Sequence, residues 1–402
     1  MKKILFVGDY SAPTGFGQVL ENIIKNLYDK FDITVLACNY TCSLPINTFN
    51  GKVKVYMARS NYGLAELPRL IRHINPDVVF TLNDGYIMPQ YYAVMQNYIQ
   101  NISWVSYVVF DGEPVDPKWG NFLRYIDKVI VPTKWQKDLL EGRFLPYDAV
   151  SVIPHGFDPE IYFPADEKDF IEYRKQILKN VPKSTDDTFI VGMIAKNFNR
   201  KRWPEAIQAF AHFNETVCKD SVFLCYTTHG FSTEEFDLNF IANTFGVGDK
   251  VVLLGDAMPL SDEKMNALYN AFDLNMLLSI GEGFGLPTLY ASAVGKHTIV
   301  YDNSVQEELS HYIPGSIVAD ANPEIIIFPN DGGNNVRKLP NIHSVKKHMT
   351  DIYRKKDELR TYERREGISL KTRELMQWSN FIPEFEYILE KAANYNKKLA
   401  VI

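Results

Sequence analysis

Two short stretches of the 402-residue chain hold residue types that could do chemistry together. The first is Ser279 to Tyr290, SIGEGFGLPTLY, which follows the apolar run Leu274 to Leu278 and leads into ASAVG. An apolar strand ending in a glycine-rich turn that opens a helix leaves backbone N–H groups and the positive helix end facing a ligand, which suits phosphate. Glu282 stands inside that turn. Its carboxylate repels phosphate, so its fitting partner is a neutral, hydroxyl-rich group beside the phosphate. A sugar nucleotide has that layout.

The second stretch is GMIAKNFNRKRWPEAIQAFAHF, a strand, a basic loop and a helix, with Lys196, Arg200, Lys201 and Arg202 clustered in the loop. Fixed positive charge at such a strand end can hold a diphosphate and neutralise it as it leaves, although basic surface loops are also common. Nearer the N-terminus, GDYSAPTGFGQVLENI places Gly15 and Gly17 at a strand-to-helix turn without the GxGxxG spacing of a dinucleotide site. After a later strand, YVVFDGEPVDPKW sets Asp111, Glu113 and Asp116 in one turn, which is either an ordinary Asp-Gly turn or a contact to ligand hydroxyls.

Taken in order, PTGFG, DGEP, IPHGFD, AKNFNRK and EGFGLP span residues 13 to 287. This set resembles the retaining GT-B glycosyltransferases, the large family that includes sucrose synthase and bacterial mannosyltransferases. The resemblance implies that Glu282 holds a donor-sugar hydroxyl, that Lys196 and Lys201 are the phosphate pair with Arg200 beside them, and that Gly283, Phe284, Gly285 and Leu286 line the donor. It implies that Gly15 and Gly17 approach the donor diphosphate, with Phe16, Asp111 and Glu113 on the acceptor side. Two positions depart from the pattern: Tyr290 stands where the family commonly has a ribose-holding Glu, and Phe110 where many relatives have His. Tyr290 can give the ribose one hydrogen bond but cannot clamp two hydroxyls as a carboxylate does. His155, a lone histidine in the linker, reads as structural; LLGDAM at 253 to 258 is expected to pass the nucleotide base, and Ser304 or Glu307 to support the sugar loop.

The elements that must position these residues alternate. Strand-like runs KILFVG, DITVLA, KVKVYM, DVVFTL, ISWVSYVVF, KVIVPT and AVSVIP are separated by amphipathic stretches such as QVLENIIKNLYDK, and the alternation resumes from TFIVGMIA at 188 to 195. This predicts parallel sheets covered by helices on both faces, with ligands at the C-terminal strand edges. The fold class expected is therefore α/β: the GT-B arrangement of two tandem Rossmann-like, doubly wound domains with an interdomain cleft. The expected N-terminal domain is 1–165, joined by the final helix at about 381–402, a return that the resemblance implies. The nucleotide-sugar domain is expected at 166–380, helical from Asn341 onward.

The length suits two cores, and the net charge of −6 argues against a nonspecific nucleic-acid binder. No segment approaches the ~20 apolar residues of a membrane span. The run after Lys2 and Lys3 is too short for a signal peptide. Cys38, Cys42, Cys218 and Cys225 lack CxxC spacing, so free thiols and a reducing cytoplasm are expected rather than zinc or disulfides. The resemblance implies transfer of a sugar from a nucleoside diphosphate to an acceptor hydroxyl with retained anomeric configuration. Beyond that co-substrate, neither a cofactor nor a metal is expected. The acceptor stays open among glycan, lipid, protein, metabolite and modified nucleic-acid base, as does the oligomeric state. The alternatives are a catalytically silent GT-B subunit, or a sugar-nucleotide epimerase or phosphorylase.

Overall fold

A computed structural model of the chain describes residues 1–39, 49–179, 181–182, 184–227, 236–254, 260–301, 303, 305–330 and 333–395. Cys42, Ser304 and most of LLGDAM lie outside the described residues. The chain forms two compact units, one of Met1–Gly156, Phe328–Asn335 and Trp378–Ile402, the other of Phe157–Ile327 and Val336–Gln377.

The first unit is built on strands β1 (Lys3–Asp9), β2 (Asp32–Cys38), β3 (Lys54–Met57), β4 (Val78–Asp84), β5 (Ser103–Val109), β6 (Lys128–Val131) and β7 (Val150–Val152). They lie in the order β3-β2-β1-β4-β5-β6-β7, and all pairings are parallel. The strands of such a sheet are covered on both faces, which is why β1, β4 and β5 read as nearly unbroken apolar runs rather than alternating ones. The strand order reverses between β1 and β4, so the carboxyl ends of these two strands flank the topological switch point where α/β sheets bind ligands.

The final helix, Ile382–Asn394, packs on this first sheet. Phe385 is fully buried, with its ring 6.3 Å from Phe80 and 5.5 Å from Tyr107. The carbonyls of Ala392 and Ala393 accept from Ser103 Oγ and Lys2 Nζ. Burying a ring of this size stabilises by about 2–3 kcal/mol.

In the second unit, β8 (Phe189–Ile194), β9 (Ser221–Tyr226), β10 (Val251–Leu254), β11 (Leu274–Met276), β12 (His297–Tyr301) and β13 (Ser316–Ala319) form a sheet in the order β10-β9-β8-β11-β12-β13. It is again parallel throughout, with its switch point between β8 and β11. Two Rossmann-like parallel sheets in tandem make this the GT-B fold.

The units divide at Gly156 and Phe157, not near residue 165. The reason is hydrogen bonding: the Phe163 and Ala165 amides donate to the side chains of Asn266 and Asn270, Ala165 O accepts from Arg365, and Phe157 N donates to Met376 O. All of these partners belong to the second unit. The returning segment likewise begins at Trp378 rather than 381, because a side chain on Gly156 would meet the Trp378 backbone at 2.8 Å. A two-stranded hairpin, β14 (Ala321–Asn330) with β15 (Gly333–Pro340), has no counterpart in the sequence reading. Its Asn335 is buried and donates to Pro114 O at 3.2 Å, which ties that end of the hairpin to the first unit.

Candidate active site

At the switch point of the second sheet, the loop after β8 meets the loop after β11. The contact begins in the backbone: Ile280 N donates to Arg200 O at 2.8 Å, and Ser279 Oγ bridges Arg200 O and Gly281 O at 3.1 and 2.9 Å. Arg200 Nη1 then donates to Gly281 O at 2.6 Å and stands 3.8 Å from Glu282 Oε2. Lys201 completes the cluster, its Nζ hydrogen-bonded to Glu282 Oε1. Both members of this pair are buried. A buried carboxylate is stable only with such partners, so the basic loop and the Glu-bearing turn stabilise each other.

The loop after β8 owes its shape to a short 3-10 turn, Asn199–Lys201, followed by Arg202 in the left-handed region at φ 56°. Arg202 is tied by its side chain to Glu205 in the following helix and to Asn199 in the turn. Trp203 Nε1 donates to Lys196 O at 3.1 Å, which fixes the main chain under Lys196. The Lys196 ammonium lies 5.7 Å from the ring centroid of the exposed Phe198.

Across the turn, Gly285 caps the helix Leu286–Ala293 with φ +98°. That conformation is open chiefly to glycine, and a Cβ there would lie 2.6 Å from Gln306 Nε2. Pro287 has no N–H and Thr288 N already donates to Gly285 O at 2.9 Å, so an anion at this end would rest on the amides of Gly285 and Leu286. Gln306 Nε2 donates to Phe284 O and Asn303 Nδ2 to Ser279 O, both at 3.2 Å. The turn is thus supported by Asn303 and Gln306, whereas Glu307 is exposed to solvent. Phe284 and Leu286 are buried and pack the turn, and Gly283 is half-buried at its rim.

Tyr290 is placed differently from a residue reaching into open space. It is buried, stacked on Tyr162 with centroids 4.1 Å apart and planes 6° from parallel, and Tyr269 meets it edge-on at 6.3 Å. Burial, with the nearby Asp262 adding to it, pushes the Tyr290 phenol well above its ordinary pKa. Tyr162 lies in the linker motif, and nothing in the sequence pairs it with Tyr290.

The first unit has its own cluster at the β1–β4 switch point. Thr14 caps the helix Gly15–Leu27, accepting from Gly17 N at 2.9 Å and donating to Asp9 Oδ2 at 2.7 Å. A Cβ on Gly17 would sit 2.3 Å from Ala12 O, so this glycine lets the turn close, and its amide is already engaged by Thr14. Gly15 is exposed and Phe16 half-buried beside it. Asp9, which the sequence reading passed over, also accepts from Asn39 Nδ2 at 2.9 Å. After β5, Asp111 is half-buried and Glu113 exposed, while Asp116 serves as a helix cap, accepting from Lys118 N. Phe110 is buried with its amide bonded to Gln136 Oε1. His155 is buried edge-on to Tyr107 at 5.4 Å, and burial holds its pKa down at about 3, which makes it a neutral packing residue. Among the described residues no group of three or more His, Cys, Asp or Glu is arranged to hold a metal ion, and no helix is long and apolar enough to cross a membrane.

Residues 174–327 match the model of a family described as glycosyl transferases group 1. The stretch includes Lys196, Arg200, Lys201, Glu282 and Tyr290. Solved structures share the fold over nearly the whole chain. Sucrose-phosphate synthase from Thermosynechococcus elongatus is similar with TM-score 0.76 and 13% identity, over 97% of this chain and 99% of that one. HepE from Anabaena, in a crystal structure with UDP and glucose, has TM-score 0.72 and 15% identity over 97% and 100%. A glycosyltransferase from Rickettsia africae has TM-score 0.72 and 14% identity over 98% and 99%. No curated protein matches the sequence.

Proposed function

We propose that this chain, a GT-B protein whose residues 174–327 match the group 1 glycosyl transferases, moves a sugar from a nucleoside diphosphate to an acceptor hydroxyl with retention of configuration. The observation that carries the reading is the buried Glu282 held by Lys201 and Arg200 beside the glycine-capped helix at Gly285. A carboxylate next to fixed cations and the Gly285 and Leu286 end of a helix is matched to a ligand that joins hydroxyls to a diphosphate. HepE, a structural neighbour, has been crystallised with UDP-glucose, which makes that compound the first donor to test.

In the reaction, Lys196, Lys201 and the N–H groups around Gly285 take up negative charge as the bond from the anomeric carbon to the diphosphate oxygen breaks. Lys201 can turn to the phosphate once a sugar hydroxyl donates to Glu282 in its place. The acceptor oxygen bonds to the same face of the anomeric carbon, and its proton passes to the departing phosphate oxygen. No protein nucleophile is required. Fixed cations carry the leaving-group charge, so activity is expected to persist in EDTA. Gly15 approaches the donor diphosphate, and Phe16, Asp111 and Glu113 form the acceptor side, where a carboxylate can orient the incoming hydroxyl.

The test is a panel of nucleotide sugars, UDP-glucose included, scored for slow hydrolysis of the donor without acceptor. Release of nucleoside diphosphate from one donor, abolished in Glu282→Gln, supports the reading. Binding of no nucleotide sugar by a folded protein overturns it.

A further inference from the structure

One buried cation of the second unit has no part in the reaction described above. It is carried by the hairpin β14–β15. Along β15 the side chains alternate: Asn334, Val336 and Lys338 are exposed, whereas Asn335 and Arg337 are buried. A strand with that period turns one face inward, and Arg337, only 3% exposed, lies on it. Arg337 belongs to the second unit, as do Glu205, Glu282 and Tyr301.

Under this strand lies the end of β12. Tyr301, the last residue of β12, is fully buried, and its hydroxyl donates to Lys338 O at 3.1 Å. That bond fastens β15 one residue from Arg337. Burial pushes the Tyr301 phenol well above its ordinary range; the charges of Arg337 and Arg202 oppose the shift, and those of Glu205 and Glu282 add to it. The guanidinium of Arg337 and the carboxylate of Glu282 therefore act on one phenol. Glu205 accepts from Arg202 through Oε1, while its Oε2 is buried with no hydrogen-bond partner among the described residues.

Charge and strand order decide what this corner is suited to. The contacts named for it join four cations, Arg200, Lys201, Arg202 and Arg337, to two carboxylates, Glu205 and Glu282. The excess is positive. In the sheet β8, β11 and β12 are successive neighbours, so the strand ends run from Lys196 through Glu282 to Tyr301 and Arg337. A donor with its diphosphate at Lys196 and Lys201 and its sugar at Glu282 turns the far edge of that sugar toward Arg337.

The geometry points to a donor whose sugar carries a carboxylate, a hexuronic acid, with Arg337 as the residue that selects it; this substrate class rests on the glycosyl-transfer reading above. A guanidinium presents paired N–H donors that match a carboxylate. The sugar hydroxyls have Glu282 and Glu205 Oε2 as acceptors. A site built to bond a polar group rejects the analogue that lacks it.

The experiment titrates the full chain with donor pairs that differ only at the sugar C6: UDP-glucose and UDP-glucuronic acid, UDP-galactose and UDP-galacturonic acid, GDP-mannose and GDP-mannuronic acid, with UDP and GDP as references. One acidic donor should bind roughly tenfold or more tighter than its neutral partner, the worth of a charge-assisted hydrogen bond. Arg337→Gln should remove that preference by weakening the acidic donor alone, with diphosphate binding unchanged. Arg337→Lys, which keeps the charge without the fork, should retain part of it, and Val336→Thr, on the exposed face of the same strand, should retain all of it. Equal affinity within every pair, or tighter binding of the neutral members, overturns the proposal and leaves the transferase reading standing. So does a preference that survives in Arg337→Gln, or an equal loss of acidic donor, neutral donor and diphosphate in both Arg337 variants. A folded protein that binds no nucleotide sugar overturns the transferase reading, and this inference with it.

Discussion

Lys201 and Glu282, 81 residues apart in sequence, form a buried ion pair through Lys201 Nζ and Glu282 Oε1. The phosphate-binding candidate and the sugar-binding candidate are therefore bonded to each other, and in the proposed reaction a donor exchanges that bond for its own contacts. Charge stays balanced in both situations, which is the condition for keeping two ions buried.

Glu282→Gln should lower turnover by roughly 100-fold while nucleoside diphosphate binding stays nearly unchanged, because the carboxylate is needed most as positive charge develops on the sugar ring. Single-turnover kinetics with calorimetry of the diphosphate check this; equal losses in both would assign Glu282 a structural part.

Lys196→Ala and Lys201→Ala should each weaken nucleoside diphosphate binding far more than nucleoside binding. Lys201→Ala should also lower stability, because among the described residues it leaves the Glu282 carboxylate with Arg200 at 3.8 Å as its cation. Parallel titrations with diphosphate and nucleoside, together with urea unfolding, separate the two effects.

Tyr290→Ala should cost about 3–5 kcal/mol, the usual penalty for deleting a buried ring, since it removes the partner of Tyr162. Tyr290→Phe keeps the stack and should cost about 0.5–1.5 kcal/mol at most. Tyr290→Glu places a carboxylate in that stack and should lower the melting temperature sharply, more so as pH rises and the carboxylate ionises. Thermal melts of the three variants test the order; a Glu variant as stable as the parent, with tighter donor binding, would restore this position to the ribose site.

Asp273 is buried, and burial alone would raise its pKa. Its contacts with Arg174 and Arg360 outweigh that and hold it at about 2. The unfolded carboxyl titrates near 3.9, so the native state binds fewer protons. The stabilisation is complete above about pH 4 and is lost as pH falls toward 2. Asp273→Asn should destabilise by about 3–5 kcal/mol at pH 7, through the uncompensated guanidinium groups, and should remove this part of the acid dependence in urea titrations.

His155 shows the opposite case. Burial lowers its pKa to about 3, against about 6.5 in the unfolded chain. Between these values the unfolded state binds the extra proton, so stability should fall as pH drops from about 6.5 toward 3. Ring chemical shifts of His155 should stay constant from pH 5 to 8; a titration in that range would contradict its burial.

The sequence by itself determined the two parallel sheets, because strands buried on both faces must be apolar along their length and the crossovers between them must be helical. It also located Lys201 and Glu282, since a strand-end basic loop and a glycine-rich turn announce themselves locally. Only the tertiary structure decided that these two residues pair, that Arg200 bonds back to Gly281, and that Asn303 and Gln306 rather than Glu307 support the turn. Such contacts join loops brought together by the order of strands in the sheet. Tyr290 is the clearest instance. Its neighbour Tyr162 is 128 positions away (290 − 162), and a ring on a helix edge has the same local sequence whether it meets a ligand or another ring. The boundary at Gly156 was hidden for the same reason: prolines and charges mark a linker, but side-chain amides of Asn266 and Asn270 decide which core its backbone joins.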